Sequence, residues 1–157
     1  GAGAARGDWL LFAHADTVLG DGWERQVDRF IKAEGSAMRA GVFRFRLDDT
    51  GVRARMLERI VALRTSVLAL PYGDQCLLIS RALYDEVGGF RDMPIMEDVD
   101  IVRRIGRRRL RVIAHDAVTS AERYQREGYA GRMARNAVCI SLWFGGMAPE
   151  RIARIYK

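Results

Sequence analysis

The sequence predicts an α/β domain, and two observations carry the prediction. Short apolar runs of strand length alternate along the chain with longer stretches whose apolar residues recur every three to four positions. The 157 residues, 49% hydrophobic and 29% charged, suffice for one buried core and are too apolar for a disordered chain. No internal repeat or low-complexity segment interrupts the pattern.

The elements follow in order. Trp9 to Ala13 is an apolar run that reads as a buried strand ending at His14-Ala15-Asp16. Asp21 and Glu24 stand at capping-box spacing before a helix with Trp23, Val27, Phe30 and Ile31 on one face. Phe43, Phe45 and Leu47 alternate with Arg44 and Arg46, the pattern of a half-exposed strand. A long helix comes next, its Met56, Ile60, Leu63, Val67 and Leu70 stepping by four and three. Pro71 to Gln75 is a loop, and Cys76 to Ile79 a second buried strand. Arg81 to Val87 is a short helix stopped by Gly88-Gly89, since glycine accepts the left-handed conformation that ends helices. Glu97 opens a further helix, and Leu110 to Ala114 is a strand. Tyr129 to Phe144 is helical, and Pro149, a residue suited to a first helical position, starts another helix to Tyr156. The expected organisation is an α/β domain over residues 1–125, with a helical tail over 126–157 packed on it.

Composition narrows the function. The 26 basic residues exceed the 20 acidic ones, for a net charge of +6, and all but Lys32 and Lys157 are arginine. Such an excess fits anionic partners, and the preference for arginine, with the abundant Ala and Gly, fits a bias in genomic base composition equally. No recognised nucleic-acid motif accompanies it, so nucleic acid is not the expected partner. Cys76 and Cys139 have no metal-ligand spacing, which argues against a zinc site or a disulfide scaffold. No signal peptide or run of transmembrane length is visible, so the expected location is the cytoplasm. The chain opens at Gly1 within what reads as the end of an Ala-rich helix, so an upstream segment is expected to be missing.

Ligands of α/β sheets sit beyond the carboxyl ends of the strands, which singles out His14 to Asp16. The glycines at 1, 3 and 7 precede a strand and lack dinucleotide-fingerprint spacing. An aspartyl nucleophile two residues before Asp16 is excluded, because His14 stands there. Asp16 suits a hard divalent cation that also grips a diphosphate, or the capping of a turn. Glu97 and Asp98 fall in the first turn of a helix, where the dipole favours acids. Neither has a cation three or four residues on, whereas Asp100 has Arg103 and Arg104 and reads as a surface ion pair. An unpartnered carboxylate held rigidly there suits a general base. Tyr72, Asp74 and Gln75 could hydrogen-bond a polyhydroxyl ligand, Asp74 also serving as a turn residue. Arg123 and Arg126, flanking Tyr124, could grip a diphosphate or lie on the surface. Lone His14 and His115 suit hydrogen bonding.

These motifs in series resemble the family 2 glycosyltransferases. Val87-Gly88-Gly89-Phe90, then Met96-Glu97-Asp98-Val99-Asp100-Ile101 and Arg103-Arg104, is similar to that family's Gly-Gly-Phe…Glu-Asp segment. Ala5 to Phe12 followed by His14-Ala15-Asp16 resembles the strand leading to its Asp-x-Asp motif, with His14 in the first acidic place. Pro71 to Gln75 and Thr119 to Tyr124 are similar to a bacterial subgroup associated with radical SAM and selenium-related genes.

The resemblance implies a three-layer GT-A fold, incomplete at its N-terminus, where the family's first strands and base-binding aspartate would precede Gly1. It implies a nucleoside diphosphate sugar donor and Mg²⁺ or Mn²⁺ held by Asp16. Asp98 would be the base toward an acceptor hydroxyl, with Glu97 beside it and Asp74, Gln75, Tyr72 and Arg123 binding substrate. A lipid-linked acceptor is compatible with it, and the apolar tail residues Ile140, Leu142, Trp143 and Phe144 suit either burial against the domain, which the shortness of the run favours, or a peripheral membrane contact. The alternative is a non-catalytic descendant that binds sugar nucleotides or a partner.

Overall fold

A computed structural model describes residues 2–156; Gly1, where the helix end and the glycine pattern were expected to begin, and Lys157 lie outside the described residues. The chain forms an α/β fold with one mixed five-stranded sheet and, among the described residues, seven α-helices. The strands are β1 (Trp9–Phe12), β2 (Thr17–Leu19), β3 (Ala40–Leu47), β4 (Leu77–Ser80) and β5 (Leu110–Thr119). The helices are α1 (Trp23–Lys32), α2 (Val52–Leu68), α3 (Arg81–Glu86), α4 (Glu97–Ile105), α5 (Glu122–Glu127), α6 (Tyr129–Phe144) and α7 (Pro149–Tyr156). The strand order is β1-β4-β3-β5-β2; only β3 and β5 run parallel, and β1 lies at an edge.

Side chains alternate across the sheet and fill two faces. Leu10, Ala40, Val42, Leu77 and Ile79 point to one face, where Leu83 of α3 and Ile101, Val102 and Ile105 of α4 cover them. Phe43, Leu78, Ile113 and Ala117 point to the other, beneath Val27 and Phe30 of α1. Because β4 is covered on both faces, all four of its residues are buried, as its unbroken apolar run requires. Gly41 allows this closeness: a Cβ there would sit 2.6 Å from the Ile113 side chain and 3.4 Å from the Phe30 ring. A third apolar cluster joins Phe45 and Leu47 to Ala54, Leu57 and Val61 of α2 and Tyr124 of α5, with Tyr129 and Met133 of α6 against it.

Several sequence expectations need correction. The Asp21–Glu24 capping box does not form, because Gly22 takes the N-cap position with φ 85° and no side chain caps α1. The stripe Met56, Ile60, Leu63 and Val67 is on the solvent face of α2, whereas Ala54, Leu57, Glu58, Val61 and Thr65 face the interior. Leu70 is buried, but it lies beyond the end of the helix. Asp100 is no surface pair. It is buried and bound by Arg104 at 2.6 Å and Arg91 at 3.2 Å, while Arg103 lies over the Trp143 and Phe144 rings. In the tail, Ile140, Leu142 and Trp143 are half-buried, leaving Phe144 exposed. Two elements, β2 and α5, had no counterpart in the sequence reading, and β5 runs five residues further than expected.

Candidate functional site

The register determines which loops meet. Phe12 pairs with Leu77, so the exit of β1 lies beside the entrance to antiparallel β4. Strands β3 and β4 are antiparallel and β3 and β5 parallel, so the exit of β5 lies at that same end. His14-Asp16, Tyr72-Asp74 and Thr119-Ser120 therefore converge there, without any being neighbours in sequence. Strand β2 closes the group: Thr17 pairs with Thr119, their hydroxyls 2.8 Å apart, and the Ser120 N–H donates to the Asp16 carbonyl at 3.1 Å.

Helix α4 brings the acidic pair to this place. The Asp98 Oδ2 accepts the Gly73 N–H at 2.7 Å, which ties the first turn of α4 to the loop before β4. Its Oδ1 accepts the Val99 N–H at 2.7 Å. Asp98 thus has backbone partners in place of the helical cation its sequence context denied it. Glu97 is exposed and makes no hydrogen bond among the described residues. The rest of the helix is anchored. Arg104 grips Asp100 through Nε and Nη2, and donates to the carbonyls of Val87 and Gly89. The glycine turn after α3 and the acidic turn of α4 consequently form one unit. Gly89 is required in it, since its φ is +60° and a Cβ would meet the Tyr84 ring at 2.8 Å. Met96, just before the acidic pair, has φ 70°, and Cys76, just after Gln75, has φ 52°. Left-handed backbone at such residues costs energy and tends to cluster at functional sites.

These segments line a cavity of about 300 Å³. His14, Asp16, Tyr72, Asp74, Glu97, Asp98 and Arg123, all but two of the residues singled out from the sequence as ligand-facing, are on its wall. Arg126 is one exception, exposed and paired with Glu127, and Gln75 is the other. It is buried, with its amide donating to the Phe43 carbonyl at 3.0 Å and accepting from the Thr65 hydroxyl at 2.9 Å. Gln75 holds the loop against β3 and α2 instead of facing a ligand. A second cavity of about 170 Å³ adjoins, sharing His14, Tyr72, Gly73, Glu97 and Asp98, with Phe12, Phe90 and Ile101 making its wall more apolar. Cys76 lines it, but burial pushes its thiol up to about 11, so it is no ready nucleophile.

The cavity has two electrostatic characters. Asp16, Asp74, Glu97 and Asp98 supply carboxylates. Burial raises Asp74 to about 6, opposed by Arg64 and assisted by Asp98. Part of Asp74 reaches solvent, yet its Oδ1 is fully buried without a hydrogen-bond partner. Facing them are residues the sequence reading missed: Arg132, Asn136 and Tyr156 from α6 and α7. Arg132 lies over the Tyr124 ring at 5.1 Å and donates to the Tyr156 hydroxyl and to Glu127, each at 3.3 Å, while its Nε is buried without a partner. Glu127 also receives Arg126 and Arg135, so one carboxylate serves three guanidinium groups. Their assembly depends on how the tail folds back, for which α6 and α7 carry no local signal.

Cation binding would rest on few ligands. Asp16 Oδ1 is held by the His14 Nδ1, and no three His, Cys, Asp or Glu side chains among the described residues form a metal-holding group. The donor set suits a Mg²⁺-like ion completed by phosphate oxygens and water, not an all-protein cage.

No family model matches the chain, and no curated protein or solved structure matches it.

Proposed function

We propose that the protein is a metal-assisted glycosyltransferase of the family 2, GT-A type, moving a sugar from a nucleoside diphosphate to an acceptor hydroxyl. The observation that carries the reading is the convergence of Asp16, Asp74, Glu97 and Asp98 with Arg123 and Arg132 in one cavity at the loop end of the sheet. Carboxylates suit sugar hydroxyls and a hard cation; arginines and tyrosine hydroxyls suit a diphosphate. Asp98, positioned through the Gly73 N–H, takes the proton of the acceptor hydroxyl as its oxygen attacks the anomeric carbon. The bond from that carbon to the diphosphate oxygen breaks, and the charge left on the diphosphate faces Arg123 and Arg132. Asp16 would hold Mg²⁺ or Mn²⁺, whose chemistry is to offset charge on that diphosphate. Glu97, free of partners, orients the acceptor.

The test is release of nucleoside diphosphate from nucleotide-sugars, after a thermal-shift screen with Mn²⁺ has identified the donor. Asp98→Asn should reduce turnover by about 100-fold or more, with donor-induced stabilisation retained, and Glu97→Gln should act mainly on acceptor KM. Undiminished turnover in Asp98→Asn would overturn the base assignment, and no stabilisation by any nucleotide-sugar would overturn the family reading. A second reading, a sugar-nucleotide-binding descendant without transfer, is favoured by the backbone hydrogen bonds on both Asp98 oxygens and by the His14–Asp16 contact. Donor stabilisation without product release would establish it instead.

A further inference from the structure

We propose that α2 is a docking surface for a bilayer rich in anionic phospholipid. Helix α2 is 17 residues, about 25 Å, long. Val52, Met56, Ile60, Leu63 and Val67, spaced by four, four, three and four, form a single stripe along it, exposed by 86, 53, 41, 63 and 50%. Its core-facing side is separate, built of Ala54, Leu57, Val61 and Thr65. The stripe is therefore not part of the fold's own packing, and a continuous apolar row of this length in solvent marks an interaction surface.

Charge selects the occupant. Arg53 and Arg59 flank the stripe on opposite sides, are exposed, and join no ion pair among the described residues. Arg107 extends the cationic border at the helix C-terminus, donating to the Val67 carbonyl at 2.8 Å. The only acid of α2, Glu58, is on the buried face, where Arg46, Arg55 and the Leu47 N–H occupy it. A second copy of α2 laid along the stripe would set arginine against arginine with no exposed acid of the helix to answer it. A plane of phosphate headgroups over acyl chains answers both features, because the apolar row can sink to the acyl boundary while the guanidinium groups stay at headgroup level. The contact is peripheral: no helix among the described residues is long and apolar enough to cross a membrane. Helix α2 also borders the cavity, since the Arg64 guanidinium lies 3.4 Å from the centroid of the Tyr72 ring. The proposal does not rest on the chemistry assigned to that cavity.

Co-sedimentation of the full chain with vesicles decides it. Binding to phosphatidylglycerol/phosphatidylcholine vesicles is expected, weakened by high salt, with little binding to phosphatidylcholine alone. Each arginine at an anionic surface is worth about fivefold in partitioning, so R53Q/R59Q should bind roughly 25-fold more weakly. M56Q/L63Q should lose binding even at low salt while keeping the wild-type circular dichroism spectrum and melting temperature. Absence of wild-type binding, equal binding to neutral vesicles, or unchanged binding by both double variants would overturn the proposal. So would a wild-type dimer in sedimentation velocity that M56Q/L63Q abolishes, which would show the stripe buried between copies.

Discussion

Helices α2 and α4 are both arginine-rich and apolar on one side, yet they meet the rest of the molecule in opposite ways. In α4 the conspicuous apolar residues Val99, Ile101, Val102 and Ile105 are all buried, and Arg104 is locked to Asp100 and two carbonyls. In α2 the conspicuous stripe is outside, and a quieter set of small and medium residues, with a buried glutamate among them, holds the helix to β3 and α6. The comparison teaches that periodicity identifies a face without saying what covers it. Helix α4, whose first turn carries Glu97 and Asp98, is held by its buried apolar side and by Arg104 together; α2 is held by one side only.

The largest expected difference between the two helices lies in their charges. Asp100→Ala removes the partner of Arg104, whose side chain is only 18% exposed, and leaves a cation largely out of water. A loss of about 3–5 kcal/mol is expected in urea unfolding, the usual cost of breaking a buried pair from one side. Arg59→Ala on α2, an exposed position with no ion pair among the described residues, should change stability by less than about 0.5 kcal/mol. Equal effects would mean that the Asp100–Arg104 contact does not anchor the acidic turn.

A sharper test stays within α2. Leu57, 4% exposed, and Leu63, 63% exposed, are the same residue six positions apart on one helix. Leu57→Ala should cost about 2–5 kcal/mol by opening a cavity, and Leu63→Ala should stay within about 0.5 kcal/mol. Denaturant midpoints at constant m-value measure both. If Leu63→Ala were the costlier change, the helix would be rotated and its apolar stripe would be core after all.

This pair also shows how far the sequence could be read. Strands β1, β3 and β4 and helices α3, α4, α6 and α7 were legible because strong local signals agreed: unbroken apolar runs, Gly88-Gly89 after α3, Pro149 at the start of α7. Helix α2 was legible as a helix but not in its orientation, because two apolar faces compete in it and the more hydrophobic one lost. Three-residue β2 was illegible, since its structure comes from pairing with β5 and not from its own residues. At the site, Asp16, Glu97 and Asp98 could be named from a strand end and a helix start, whereas Asp74 and Gln75 were both named from one loop; Asp74 lines the cavity and Gln75 was misdirected, because a loop position does not reveal which way a side chain turns. Arg132 and Tyr156 were unreadable, for they reach the cavity only when α6 and α7 fold back over it.

The last contrast is between two acids of the same region, one satisfied and one not. Asp100 is buried with two arginines, whereas Asp74 has its Oδ1 buried with no partner and is raised to about 6 by desolvation. A folded-state value above the unfolded 3.8 means that the folded chain holds the proton more tightly. Stability associated with protonated Asp74 is therefore complete below about pH 4 and declines as pH rises through about 6. Asp74→Asn, which cannot ionise, should leave stability little changed at pH 4 and raise it at pH 7 by at most about 3 kcal/mol. Asp100→Asn should not stabilise at any pH, since its carboxylate has charge partners to lose. Parallel urea titrations of the two variants at pH 4, 5, 6 and 7 make the comparison. A gain for Asp74→Asn that does not grow with pH would show that its carboxyl is not strained by burial, and that the cavity admits enough water to solvate it.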